Sequence, residues 1–281
     1  YRGHSGEINS LDFREKAPAQ ASRDMYLDSA GNAITDLSLY GSLAAGVPGS
    51  VAGMEAAHKK YGSLTWQSLL QPAIDLAEKG FPITAKQAQE FNNNKSLFTT
   101  QNPNGAALLK DENWNAEDLL VQSQLANTLK LVAEKGRDGF YKGETAQHIV
   151  AEMKRGNGII TLEDLANYHA VWRNPVVGNY KAYKIISMPP PSSGGLALVA
   201  LLQSVANYPL KQWGFQSDST VRAMVEAERR IYADRATHLG DPDFYTVPEA
   251  LLVDQQRNEA RMSTVSLKKA TPSEDVKAQK F

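Results

Sequence analysis

An α/β fold of the α+β kind, mostly helical with a small set of strands, is what this sequence predicts. Three observations carry the prediction. Apolar residues recur at helical spacing in one segment after another. A single stretch, Tyr168 to Met188, is dense in β-branched and aromatic residues. Glycine, proline and asparagine clusters separate these segments where turns are needed.

The elements follow in order. Residues 1 to 45 are rich in turn formers, with a short β-like stretch from Ile8 to Phe13 and a loop tip at Asp28-Ser29-Ala30-Gly31-Asn32. Proline suits a first helical turn, so a helix is expected from Pro48 and Gly49 through His58, ending at Gly62. Thr65 has the profile of an N-cap for a helix from Trp66 to Glu78, with Leu69, Leu70, Ala73, Ile74 and Ala77 on one face and Gly80 as its stop. Residues 84 to 98 read as a polar helix, and Asn102-Pro103-Asn104-Gly105 as a turn. A longer helix is expected from Ala116 to Ala133, placing Val121, Leu125, Thr128, Leu129 and Val132 on one face, closed by Gly136. Another spans Glu144 to Lys154, and Thr161-Leu162-Glu163-Asp164 matches a capping box with aspartate in the glutamate position.

The β-rich stretch then supplies strands, with Gly178-Asn179 suited to a two-residue hairpin turn. An apolar helix follows from Ser193 to Asn207. The last long helix runs from Ser219 to Leu239, with Val221, Met224, Val225, Ile231 and Tyr232 inward and a favourable i,i+4 pair between Glu226 and Arg230. From Val253 onward the chain turns polar, so residues 253–281 read as a surface tail. No repeat, low-complexity tract or linker interrupts the sequence, and residues 1–281 read as a single domain portion.

Composition narrows the function classes. The 281 residues are 42% hydrophobic and 22% charged, the proportions of a globular protein with enough chain to bury a core. Thirty basic residues face thirty-one acidic ones, a net charge of −1. That balance offers no general attraction to nucleic acid or to an anionic membrane. No apolar run approaches the roughly 18 residues of a membrane span, so no membrane insertion is expected of this segment. Cysteine is absent, which excludes disulfides, thiolate metal sites and a cysteine nucleophile. The chain begins Tyr1-Arg2-Gly3-His4 with no visible signal peptide, and an internal start is the favoured reading.

Most chemistry-bearing patterns dissolve on inspection. His4, His58, His148, His169 and His238 are scattered without a His-x-x-x-His pair, and Asp241-Pro242-Asp243 fits a capped turn better than a metal clamp. No metal and no cofactor are expected. Ser266-Leu267-Lys268-Lys269 satisfies Ser-x-x-Lys but lacks companion motifs, and no Gly-x-Ser-x-Gly elbow exists. Gly156-Asn157-Gly158 lacks the third glycine of a dinucleotide loop. Arg222, Arg229, Arg230 and Arg235 read as the charged face of one helix. Ser192-Ser193-Gly194-Gly195, before a helix, admits two readings: an anion-binding or site-shaping loop, or a tight strand-to-helix entry.

One string remains: Leu11-Asp12-Phe13-Arg14-Glu15-Lys16-Ala17-Pro18. A guanidinium is always charged and presents a planar fork that matches a carboxylate. Spacing alone leaves open whether Arg14 is a carboxylate clamp or one member of a weak surface ion pair. The string closely resembles the segment of γ-glutamyltranspeptidases that contains the arginine gripping the α-carboxylate of the γ-glutamyl substrate. Four more segments resemble that family, in its order: Gly46-Val47-Pro48-Gly49-Ser50-Val51-Ala52-Gly53, Met188-Pro189-Pro190-Pro191-Ser192-Ser193-Gly194-Gly195, Tyr232-Ala233-Asp234-Arg235, and Leu239-Gly240-Asp241-Pro242-Asp243-Phe244. They extend over most of the chain.

The resemblance implies an N-terminal-nucleophile hydrolase with an αββα architecture, of which this chain is an incomplete, helix-rich portion of the large subunit. Such precursors cut themselves into two subunits, and the new N-terminal threonine of the small subunit attacks the γ-glutamyl amide. Its own α-amino group, with a pKa of about 7.7–8.0, serves as base. The implied partners are that small subunit and γ-glutamyl substrates such as glutathione, and the implied location is periplasmic or secreted. No nucleophile segment of the family's Thr-Thr-His type occurs in this chain, so no catalytic residue is carried over and the chain alone is expected to be inactive. Arg14 is the one residue that transfers, as a substrate-binding group. A cephalosporin- or glutaryl-acylase-like enzyme of the same fold, and a non-catalytic homologue acting as a binding protein, are the alternatives.

Overall fold

In the computed structural model, which describes residues 1 and 3–280, the contacts divide the chain into two compact units: residues 11–171, and residues 1–10 together with 172–281. The sequence offers no linker to mark such a division.

The 11–171 unit begins in β1 (Ser10–Asp12) and carries α1 (Thr35–Leu39), α2 (Ser50–Tyr61), α3 (Trp66–Lys79), β2 (Phe81–Pro82), α4 (Ala85–Asn93), α5 (Lys95–Gln101), β3 (Leu119–Leu120), α6 (Ser123–Lys135), α7 (Asp138–Tyr141), α8 (Gly143–Arg155) and α9 (Leu162–Asn167). Caps placed from sequence hold: the Thr65 side chain accepts from the Ser68 N–H, and Thr161 with Asp164 completes both halves of a capping box. Thr84 and Gln87 form a second box that opens α4. The polar helix expected over 84–98 is broken at Asn94 into α4 and α5. The helix expected from Ala116 begins only at Ser123. Glu117 has φ of 69°, a left-handed turn that a helix cannot contain, and Leu120 pairs with Phe81 instead. One core of this unit gathers Val47, Ala52, Tyr141, Ala146, Ile160, Leu165 and Tyr168, and a second gathers Ile83, Ala88 and Leu120.

The other unit contains β4 (Val171–Arg173) from Trp172 onward, β5 (Val176–Tyr180), β6 (Tyr183–Ser187), α10 (Gly194–Val205), α11 (Leu210–Trp213), α12 (Asp218–His238), α13 (Glu249–Leu252) and α14 (Gln255–Arg261). Strands β5 and β6 pair antiparallel with Tyr180 opposite Tyr183, so the turn is Lys181-Ala182 and not Gly178-Asn179. Gly178 lies inside β5 for a packing reason: a Cβ there would stand 2.5 Å from a methyl of buried Val199. Helix α10 is the apolar centre, packing Leu196 and Val199 with Val176 and Leu252, and Ala197 and Ala200 with Ile231.

Helix α12 departs most from expectation. Val221, Met224, Val225 and Tyr232 face outward, whereas Ala223, Glu226, Ala227, Arg230, Ile231 and Asp234 are buried. Glu226, Arg230 and Asp234 each have an opposite charge beside them, although the Nε atoms of Arg222 and Arg261 are buried without a hydrogen-bond partner among the described residues. Arg230 donates to Glu226 at 2.5 Å, as the i,i+4 spacing predicts, while Asp234 accepts from Arg257 at 2.5 Å and Arg261 at 2.6 Å. The arginines expected as a solvated face are therefore divided, Arg230 lying inside. The segment after Val253 is likewise not all surface: polar Asn258 and apolar Met262 are buried, and the Thr271 and Gln279 N–H groups donate to Glu226 and Asp234. Charge made this segment look like a tail, and the same charge fastens it to α12. Among the described residues no helix is long and apolar enough to cross a membrane.

Candidate functional site

Arg14 lies just beyond β1 in a strap whose backbone is held at Arg14 and at Lys16. The Arg14 N–H donates to Asp12 Oδ1 at 3.1 Å, and the Arg14 carbonyl accepts from the Tyr168 hydroxyl at 2.7 Å. Lys16 and Val47 exchange both backbone hydrogen bonds, at 3.2 and 2.8 Å. Beneath the strap, two glycines let the chains touch. A Cβ at Gly49 would lie 2.1 Å from the Phe13 carbonyl oxygen and 2.0 Å from the Tyr168 hydroxyl, and one at Gly53 would lie 2.2 Å from the Phe13 ring. The first two family-like segments thus pack on each other, and the close approach accounts for the glycines at these positions.

The side chain is free where the backbone is fixed. Its one recorded contact is Nε to Glu15 Oε1 at 3.4 Å, and it is 58% exposed. Among the described residues neither terminal guanidinium nitrogen has a protein partner. That long contact between two exposed groups contributes little stability, so the fork is available to an incoming carboxylate.

Tyr168 is itself anchored. Its ring stacks on Tyr141, 5.8 Å between centroids and 5° from parallel, and its carbonyl accepts from Arg137 at 2.7 Å. The Tyr141 hydroxyl donates to the Pro48 carbonyl at 2.8 Å and accepts from the Ala52 N–H. Arg137 lies over the Tyr141 ring, and its own N–H donates to Glu55. Burial pushes the Tyr168 phenol above its usual range, with Tyr141, Asp12 and Glu15 adding to the shift, so it remains a hydrogen-bond donor. Nothing in the sequence marks Tyr168 as a partner of Arg14, since 154 positions separate them.

The other candidates resolve into structure. Asp241 Oδ1 accepts from the Asp243 N–H, a capped turn, and Asp243 forms a bidentate pair with Arg173 at 3.0 Å for both bonds. The Ser266 hydroxyl accepts from the Lys268 and Lys269 N–H groups, a turn contact. In the Ser192–Gly195 loop, Arg235 Nε donates to Ser193 Oγ at 2.8 Å, and a Cβ at Gly195 would lie 2.1 Å from the Met188 carbonyl oxygen, which favours the tight-entry reading. Among the described residues no three His, Asp or Glu side chains gather as metal ligands. A groove of about 1110 Å³ between α6 and α8 is lined by Leu125, Leu131, Ile149 and Met153, among others, and does not include Arg14.

A family model described as γ-glutamyltranspeptidase matches residues 1–281. The chain belongs to that family. The glutathione hydrolase proenzyme of Escherichia coli strain K12 is 41% identical over 282 residues, covering all of this chain and 49% of that protein. The crystal structure of Helicobacter pylori γ-glutamyltranspeptidase superposes with a TM-score of 0.96 at 42% identity, covering 99% of this chain and 80% of that one. The acylase ACY 1 proenzyme of Pseudomonas sp. strain SE83 is 33% identical over 268 residues, covering 92% of this chain and 48% of that protein. The chain spans about half the length of the curated relatives it matches. The helix-rich α+β fold is thus a portion of the γ-glutamyltranspeptidase fold, as the five segments implied.

Proposed function

We propose that this chain is part of a γ-glutamyltranspeptidase that cleaves γ-glutamyl amides such as glutathione and passes the γ-glutamyl group to water or to an amino-acid or peptide acceptor. In this reading a threonine hydroxyl from the remainder of the precursor attacks the amide carbonyl carbon. The C–N bond breaks, the amine leaves with the proton, and an ester links substrate to enzyme until water or an acceptor amine resolves it. The present segment contributes scaffold and, through Arg14, a grip on the donor's α-carboxylate. It has no activity alone, pairs with the small subunit of the same precursor, and works in the periplasm or outside the cell.

The observation that carries this reading is the pairing of a fixed backbone with an unused fork at Arg14, in a chain matched to the family along its whole length. Arg14→Lys and Arg14→Ala in the processed full-length enzyme test it. A lost charged hydrogen bond costs about 1.5–3 kcal/mol, which is roughly ten- to 150-fold in donor KM, with kcat little changed. Unaltered donor affinity in Arg14→Ala would remove the assignment. The likeness to ACY 1 favours a second reading, an amidase for another carboxylate-bearing acyl group. Side-by-side turnover of γ-glutamyl and glutaryl amides separates the two.

A further inference from the structure

We infer that Tyr168 is a positioning residue for donor binding: its hydroxyl, bonded to the Arg14 carbonyl, fixes the backbone from which the guanidinium reaches the substrate carboxylate. The inference rests on the Arg14 reading above and extends it to a residue that no motif marks. A fork recognises a carboxylate only when its plane and distance are set, and misplacement by about an ångström is felt strongly. Arginine has four side-chain torsions, so some of that precision must come from a backbone that does not move. Here the Arg14 peptide groups are gripped from both sides, by Asp12 at the N–H and by Tyr168 at the carbonyl.

Tyr168 is built for this contact and not merely near it. Its ring is wedged by parallel stacking on Tyr141, its backbone is tied by Arg137, and Gly49 leaves room for the hydroxyl where any larger residue would displace it. The chain from α2 through α7 to α9 is thereby linked to one carbonyl oxygen. A residue that only filled the core would not need the hydroxyl, since phenylalanine supplies the same ring.

The test uses the processed full-length enzyme carrying Tyr168→Phe, with two donors: a γ-glutamyl amide with its free α-carboxylate, and the same donor with that carboxylate converted to the carboxamide. The expected result is a rise in KM of roughly threefold to tenfold for the carboxylate donor at unchanged kcat, with kcat/KM for the carboxamide donor unaltered. A merely structural role lowers turnover of both donors in proportion, and that outcome overturns the inference. So does an unchanged KM in Tyr168→Phe when Arg14→Lys loses its preference for the carboxylate donor. If Arg14→Lys itself keeps that preference, the Arg14 reading fails and this inference falls with it. Asp12→Ala releases the other side of the same residue and must show the same donor-selective loss, which keeps the test decisive if Tyr168→Phe does not fold.

Discussion

Replacing Asp234 with alanine should destabilise the protein severely, and the structure sets the size of the effect. Asp234 is 1% exposed and accepts from the Arg257 and Arg261 guanidinium groups and from the Gln279 N–H. The side chains of the two arginines are only 9% and 10% exposed, so the alanine variant leaves two cations out of water with no carboxylate. Breaking a buried pair in this way costs about 3–5 kcal/mol. Partial compensation comes from the Arg257 bond to Asn258 and the Arg261 bonds to the Arg230 and Lys277 carbonyls, which place the expectation near the lower end, about 3 kcal/mol. At about 2–4 °C per kcal/mol for a domain of 150–250 residues, Tm should fall by roughly 6–12 °C. Scanning calorimetry of the full-length protein reads this directly. Asp234→Asn keeps an acceptor oxygen without the charge and should fall between wild type and alanine. Replacing Asp234, Arg257 and Arg261 together by leucine and two methionines should recover much of the loss, because the desolvated charges leave together. A drop below about 2 °C in the alanine variant, or a triple variant no better than the single one, would refute the argument.

Gly178→Ala should overpack the hairpin against α10, because the new methyl would sit 2.5 Å from Val199; a loss of about 1–3 kcal/mol is expected in urea unfolding, and none would mean that the strand yields freely. Acid should weaken the α12 network through Glu226. Burial pushes its carboxyl up, but the Thr271 N–H and Arg230 outweigh that and hold it below the usual range. A folded pKa below the unfolded value of about 4.3 gives stability that is present above that pH and lost as pH falls toward the folded pKa. The stability gap between wild type and Glu226→Gln should therefore narrow between neutral pH and about pH 3; a constant gap over that range would exclude a titrating role for Glu226.

Local signals were legible in the sequence wherever one short segment contains both partners of an interaction. Thr65 and Thr161 cap helices because hydroxyl and N–H are three residues apart, and Gly80 ends α3 because φ of 79° suits glycine. Sequence failed where a residue's role is set by something distant. Gly178-Asn179 has turn chemistry, yet Gly178 answers to Val199 and the turn falls three residues later. In helix α12 the sequence points the apolar residues inward, because unpaired charge is expensive to bury. The partners that remove the cost, Arg257, Arg261 and the 271–279 segment, lie 23 or more positions on, and no spacing rule announces them. Arg14 was legible for the opposite reason: its neighbours spell out a contiguous string. Tyr168, which holds that string in place, was not.

The five family-like segments differ in how much hydrogen-bond capacity the fold leaves them. Asp234 belongs to one of them, but its carboxylate is 1% exposed and already accepts from two arginines and a backbone N–H, so a ligand does not reach it. Gly49 and Gly195 belong to two others and supply only the absence of a side chain where backbones meet. Asp243 has each carboxylate oxygen paired to Arg173. Arg235, over the Tyr232 ring with its Nε on Ser193, also keeps two terminal guanidinium nitrogens without a protein acceptor among the described residues, so hydrogen-bond capacity alone does not separate it from Arg14. Arg14 combines a fixed backbone with a guanidinium whose two terminal nitrogens meet no protein acceptor among the described residues. A scaffold residue finishes folding with its valences filled, while a recognition residue is held in place and keeps some open. By that criterion Arg14 and Arg235 keep open valences, and only Arg14 stands in the string on which the proposed carboxylate grip rests.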